Sequence, residues 1–274
     1  MYQFDKIKIF YKSKKIKNFI PDYNNKIDLI GDNIKIDYSN NQIQIQGDGK
    51  YALKEKLNNF KIKIENKKNQ YDFNASFDLN HVLIKIDEID YFKKKNVLSN
   101  INFKGEYLKN KNLKISEIKY FENQNRMFAS NLNLTKELKI KNIDKLELNY
   151  LNKKMKLNDI KVTKYKNNFE LIGKNYDGML LVENLLKGDS SNNFFKIFEN
   201  LNSKIVLNID NFYLGDNSYL KNINGNLLIE KNKLKSGNID AFLNKNNKFI
   251  YNLKTTPDNK KITNIYIEKP EPFI

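Results

Sequence analysis

At 274 residues the chain can form one large β domain or two smaller ones, and 40% hydrophobic with 12% aromatic content describes a folded protein despite a mean hydropathy of -0.70. The absence of cysteine excludes disulfides, thiolate zinc sites and cysteine nucleophiles, and a single histidine, His81, excludes His-pair zinc motifs. The formal charge of +17 does not mark a nucleic-acid partner: only Arg126 among the 49 basic residues is an arginine, and the lysines occupy the polar positions of strand after strand instead of clustering.

Alternation of apolar and polar residues dominates from the start. Ile7, Ile9 and Tyr11 make the first set, a polar stretch with Pro21 follows, and Ile27 with Leu29 leads to Gly31. Ile34, Ile36 and Tyr38 then run into a Ser39-Asn40-Asn41 turn, beyond which come Ile43, Ile45 and Gly47. Period-2 runs joined by short Asn, Asp, Gly and Ser turns predict hairpins. Phe60, Ile62 and Ile64 continue the pattern, and Tyr71, Phe73, Ala75, Phe77 and Leu79 give its clearest form. Val82, Ile84 and Ile86 predict a further strand, as do Ile101, Phe103, Gly105 and Tyr107. Leu113 and Ile115 shift phase to Ile118 and Tyr120, which predicts a bulge. Ser130, Leu132 and Leu134, then Leu146, Leu148 and Tyr150, precede a second phase shift from Met155 and Leu157 to Ile160 and Val162.

The rhythm breaks between Phe169 and Ser203. Asp177 stands at a helix N-cap position, Met179, Leu180, Val182, Leu185 and Leu186 recur at helical spacing, and Gly188 stands as a C′ glycine. Asp189, Ser190 or Ser191 caps a second short helix with an apolar face of Phe194, Phe195, Ile197, Phe198 and Leu201. Two short helices near 177–201 are expected to plug or brace a β structure. Strands then resume: Ile205, Leu207 and Ile209; Tyr219, Ile223, Leu227 and Ile229; Ile239, Ala241 and Leu243; Phe249, Tyr251, Leu253 and Thr255; and finally Ile265 and Ile267 before Pro270 and Pro272. No Pro-, Gly- or Ser-rich linker divides the chain, so a single elongated domain over 1–274 is expected. No segment reaches the ~18 apolar residues of a membrane-spanning helix.

Chemistry-bearing motifs are sparse, and no enzyme is expected: neither catalytic residues nor a cofactor nor a metal site is assigned. His81 reads as a turn or rim residue, and Asp87, Glu88 and Asp90 as a solvated strand end balanced by lysines. The Gly47-Asp48-Gly49 and Tyr176-Asp177-Gly178 steps are turn signals that lack the glycines of a phosphate-cradling loop. What is abundant is apolar surface on one side of many strands, which must be covered by a second sheet, by helices or by something other than protein. Two arrangements satisfy this: a closed sandwich or barrel with an ordinary core, and an open curved sheet whose concave face holds acyl chains.

The C-terminal part, about Ile101 to Ile274, resembles the AsmA-like family, in particular its YhdP- and TamB-like branch of bacterial envelope proteins. The resemblance rests on Gly173 followed by Tyr176-Asp177-Gly178 opening a short helical segment, on the paired alternation from Leu201 to Leu243, and on the exit strand in Ile262 to Pro270. It implies a mostly β chain, a long antiparallel meander curved into a taco-shaped groove with two short helices near 177–201. It further implies a periplasmic protein moving phospholipids between inner and outer membranes, with phospholipid acyl chains as partners, membrane-surface or envelope proteins beside them, and no nucleic acid. The family begins with an inner-membrane anchoring helix, absent from these residues, so a piece of a longer protein or a divergent member is expected. Phe73, Phe77, Phe103, Leu132, Leu148, Leu207, Ile209, Leu227, Ile229, Phe249, Tyr251 and Leu253 are expected to line the interior. A non-enzymatic envelope scaffold or assembly factor with a closed β core is the alternative.

Overall fold

The computed structural model describes residues 2–39, 42–109, 112–186, 194–244, 246–258 and 260–269. The chain is mostly β, as the alternation predicts, with short helical pieces, and it divides into two compact units, Met1–Leu138 and Lys139–Ile274.

In the first unit β1 (Tyr2–Phe10), β2 (Lys26–Ser39), β3 (Gln42–Ala52), β4 (Asn58–Lys67) and β5 (Gln70–Asp78) pair in sequence order, each antiparallel to the next. The chain between β1 and β2 contains α1 (Lys14–Phe19), which the sequence reading did not anticipate. Its signal was present: the Ser13 hydroxyl caps the helix by accepting from the Ile16 N–H at 3.2 Å, and Pro21 follows its end. After β5 an insertion forms β6 (Ile84–Ile86) and β7 (Tyr91–Lys93), a two-stranded ribbon outside the meander. Ile84 and Ile86, expected among the successive strands, therefore lie in a separate small sheet, and Val82 lies in the turn before it. The meander resumes with β8 (Ser99–Leu108), β9 (Leu113–Glu122) and β10 (Asn125–Leu134).

The predicted phase shift in β9 is a bulge. Phe103 faces Ile118 but Gly105 faces Ile115, so Ser116 is the additional residue and both apolar pairs stay on one side. Gly105 permits this close approach: a Cβ there would stand 2.2 Å from the Lys114 carbonyl oxygen.

In the second unit β11 (Ile140–Asn142) precedes β12 (Lys145–Leu151), β13 (Leu157–Tyr165) and β14 (Asn168–Asp177). Next come α2 (Met179–Leu186) and a 3₁₀ turn at Phe194–Ile197, then β15 (Ser203–Tyr213), β16 (Tyr219–Glu230), β17 (Lys233–Leu243), β18 (Asn247–Thr255) and β19 (Lys261–Ile267). Pairing is antiparallel between neighbours except that β14 and β15 run parallel, a departure from the expected all-antiparallel meander. The helical segment explains the departure: it carries the chain back along the length of β14, so β15 starts at the same end. The β16–β17 link shows the local turn chemistry, with Lys231 and Asn232 both at positive φ (49° and 62°) in a two-residue hairpin loop.

Three details of the helical segment differ from expectation. Gly178, not Asp177, accepts the first helical bond, from the Val182 N–H at 2.9 Å, because the chain passes so close to Phe212 that a Cβ on residue 178 would meet the ring at 1.8 Å. Asp177 stands one position earlier, where its Oδ1 still accepts from the Met179 N–H at 3.4 Å and its Oδ2 accepts from the Asn152 amide at 2.9 Å. Among the described residues the second helical piece is a 3₁₀ turn at Phe194–Ile197, and it goes no further because the Glu199 N–H is taken by the Ile140 carbonyl at 2.9 Å, beside a parallel bridge between Ile140 and Phe198. The expected caps at Gly188, Asp189, Ser190 and Ser191 lie outside the described residues, as do Asn40, Asn41, Pro270 and Pro272. In β13 the second phase shift is no bulge of that strand. Leu157 points outward and Asn158, fully buried, takes the inner position beside Ile160.

Candidate functional site: an apolar sheet face in each unit

Residues paired across antiparallel strands share a face, so the registers trace each apolar surface directly. In the first unit one row runs Ile36, Ile45, Ile64, Phe73, Gly105, Ile115, Leu132. A second runs Ile34, Gly47, Ile62, Ala75, Phe103, Ile118, Ala129, and a third contains Phe60, Phe77, Ile101 and Tyr120. Aromatic rings connect the rows: Phe60 stacks on Phe77 at 6.2 Å, Phe77 on Phe103 at 5.8 Å, and Phe73 meets Phe103 edge-on at 6.0 Å. Phe73, Phe77, Phe103 and Leu132, the four residues expected to line an interior here, thus lie on one face, each half-buried.

One end of that face is shut. The loops beside Phe60 and Tyr120 are tied together: Asp22 binds Lys54 at 2.9 Å and Lys95 at 2.6 Å, and these bonds, with Lys95 foremost, hold its carboxyl below the usual range. The Asn58 side chain accepts from the His81 N–H at 3.0 Å. His81 is therefore a loop residue, its Nδ1 2.9 Å from Asn96 Oδ1. Tyr91 of β7 is buried with its hydroxyl 2.8 Å from that of Tyr120, and it also donates to Glu122. Lys93 is buried completely (0% exposed) and donates to the carbonyls of Leu79, Val82 and Lys94 at 2.7, 2.8 and 3.1 Å. Burial pulls its ammonium down to about 8 from 10.5. Burial likewise raises the hydroxyls of Tyr51, Tyr91 and Tyr120 above 10. At the other end Ile36 (49%), Ile43 and Tyr38 (68%) are exposed.

In the second unit the rows run Leu148, Ile160, Gly173, Ile209, Ile223 and Leu146, Val162, Leu171, Leu207, Gly225, Ile239, Tyr251, Ile265. The expected residues Leu148, Leu207, Ile209, Leu227, Ile229, Phe249, Tyr251 and Leu253 all fall on this face. Here the cover is protein. Leu181 and Val182 of α2 pack on a core of Leu207, Ile209, Phe212, Leu220, Ile223, Ala241 and Leu243, and Leu227 and Phe249 adjoin it. Tyr176 packs on Phe212, and burial pushes its hydroxyl up to about 12. At the far end the returning chain is pinned where the Leu201 N–H donates to Asn232 Oδ1 at 2.6 Å, and Ile229 beside it is 0% exposed.

The opposite face of the first unit carries the lysines, paired in register with acids: Lys104 with Glu117 at 3.3 Å and Lys114 with Glu106 at 2.6 Å. The chemistry-bearing motifs stay apart. Asp87, Glu88 and Ile89 form a 3₁₀ turn with Asp87 2.7 Å from Lys85, and among the described residues no three His, Asp or Glu side chains gather around a metal position. A depression of about 820 Å³ is lined by Ile30, Gly31, Asp48, Lys50, Phe60 and Lys61, among others, and none of the twelve expected lining residues borders it. No helix among the described residues is long and apolar enough to cross a membrane. The sequence reading missed Tyr91, Lys93 and Glu122, because a lysine that ends up buried carries no mark of it in a chain with lysine at most polar positions. Comparison with family models, with curated proteins and with solved structures finds no match.

Proposed function

We propose that the chain is an AsmA-like lipid carrier of the bacterial envelope, its apolar sheet faces holding phospholipid acyl chains between inner and outer membranes. The observation that carries this reading is the first unit's face: three registered rows of Ile, Phe and Leu, stoppered at the Tyr91 end and exposed at Ile36, Tyr38 and Ile43. Each acyl CH₂ withdrawn from water contributes about 0.8 kcal/mol, so a continuous apolar strip lowers the barrier to carrying a lipid through an aqueous compartment. In this reading the registered lysine–acid pairs keep the other face in water. The headgroup stays at the exposed end.

A second reading, an envelope scaffold with a closed β core, draws support from the second unit, where α2 already covers the apolar face. Native mass spectrometry of the purified chain with lipid extraction separates the two. Carriage predicts co-purifying phospholipid that is lost in a Phe73→Asp, Phe103→Asp variant and retained in Lys63→Ala, Lys104→Ala. A lipid-free folded chain, or equal loss in both variants, sinks the carrier reading and leaves the scaffold.

A further inference from the structure

The second unit's outer face carries a feature that the acyl-chain reading does not use. Asn226 of β16 faces Asn238 of β17, Asn238 faces Asn252 of β18, and Asn252 faces Asn264 of β19. Four carboxamides therefore stand in line across four consecutive strands, about 4.8 Å apart, at right angles to the chain direction. Asn238 and Asn264 are exposed, Asn226 and Asn252 half-buried. Among the described residues none of these four amides is engaged by another side chain or by main chain. Each keeps two donor hydrogens and an acceptor oxygen for a ligand.

We infer that this ladder is a binding surface for an extended, uncharged, β-linked glycan lying across the strands. Three properties select that ligand. A carboxamide both donates and accepts, which matches hydroxyl groups, whereas a charged polymer needs a charge excess. None exists here: across the ladder strands β16–β19, the ladder row and the row on either side of it carry one charge of each sign, Asp240 and Lys254, although the chain as a whole carries +17. The spacing fits next: the strand separation is close to the length of one β-1,4-linked pyranose unit, so each sugar meets one asparagine, whereas an extended peptide advances only about 3.3 Å per residue. The third property is apolar. Tyr266 (53% exposed) and Ile250 pair with each other on one side of the ladder and exposed Ile262 lies on the other, giving the C–H faces of the sugar rings a surface to rest on. The sheet holds the array rigid, because the backbone groups between β16 and β19 are committed to the ladder hydrogen bonds, so little ordering entropy opposes binding.

The test is calorimetric titration of the full chain with cellohexaose and with the β-1,4-linked hexamer of N-acetylglucosamine, with α-linked maltohexaose as the comparison. The inference expects binding of at least one β-linked hexamer and not of maltohexaose. It expects at least a tenfold loss of affinity in Asn238→Ala, Asn252→Ala, and no change in Lys61→Ala on the other unit. Circular dichroism and thermal unfolding confirm that each variant is folded, and Asn238→Gln, Asn252→Gln serves as a second pair that keeps the amide chemistry but displaces it. No binding of either β-linked hexamer overturns the inference, as does binding that survives both double substitutions. Equal binding of maltohexaose overturns the selection for an extended chain.

Discussion

The two units use one sheet grammar and differ in what lies over its apolar side. In the first, every connection between neighbouring meander strands reverses the chain, so none has to return along the face; among the described residues an insertion covers one end, the β6–β7 ribbon held by Tyr91 and Lys93. In the second, one connection does not reverse the chain, and the returning segment lays α2 on the core. A single parallel pair thus separates a face that stays half-exposed from one that is roofed. The lesson is topological: alternation creates an apolar face, and connection direction decides whether the chain itself covers it.

Removing the roof is the most severe way to test this contrast. Gly178→Val drives a branched side chain into the Phe212 ring and should cost the second unit about 3 kcal/mol. Hydrogen exchange should show lost protection confined to 139–274, with increased binding of an apolar dye; matching loss in the first unit would mean that the two do not respond separately. The stopper of the first unit comes next. Lys93→Met leaves several buried carbonyls without their donor and should cost about 2 kcal/mol, read from the urea midpoint.

The pH profile of the native chain sharpens the same point. The Lys93 ammonium sits at about 8 when folded and 10.5 when unfolded, so between these values the unfolded state binds more protons and stability rises with pH. Tyr51, Tyr91 and Tyr120 act oppositely: their hydroxyls ionise near 10 only when unfolded, so stability falls above about 10. The urea midpoint should therefore climb from about pH 8 and turn over near 10, and Lys93→Met should abolish the climb while keeping the fall. The mildest expected effect is at the uncovered end: Ile36→Ala, half exposed, should cost under about 1 kcal/mol by the same urea assay. A cost of several kcal/mol there would show that the tip is packed like a core.

Much of this architecture is legible in the residues alone. Period-2 spacing placed Phe73, Phe77 and Phe103 on one face, and the phase change between Ile115 and Ile118 located a bulge to within two residues, because a strand has only two sides and an extra residue must flip them. The helix of Met179–Leu186 was visible because its apolar residues recur at the 3.6-residue period and not at period 2. The α1 helix, the β6–β7 ribbon and the buried Lys93 were not seen. The first two are short, and α1 carried its signal in the Ser13 cap; Lys93 depends on the carbonyls of Leu79 and Val82, 14 and 11 residues away, which reach it only once the insertion has folded back.

By itself, then, the sequence determined that this is a mostly β chain with one apolar and one lysine-rich side to its strands and a helical break between Phe169 and Ser203. Only the tertiary structure decided that β14 and β15 run parallel, that the break roofs one face while a ribbon stoppers the other, and that four asparagines align across β16–β19. The physical reason is register. Alternation specifies which side a residue takes, but which residues meet across strands, and in which direction the next strand runs, depends on pairings between distant segments that local pattern does not encode.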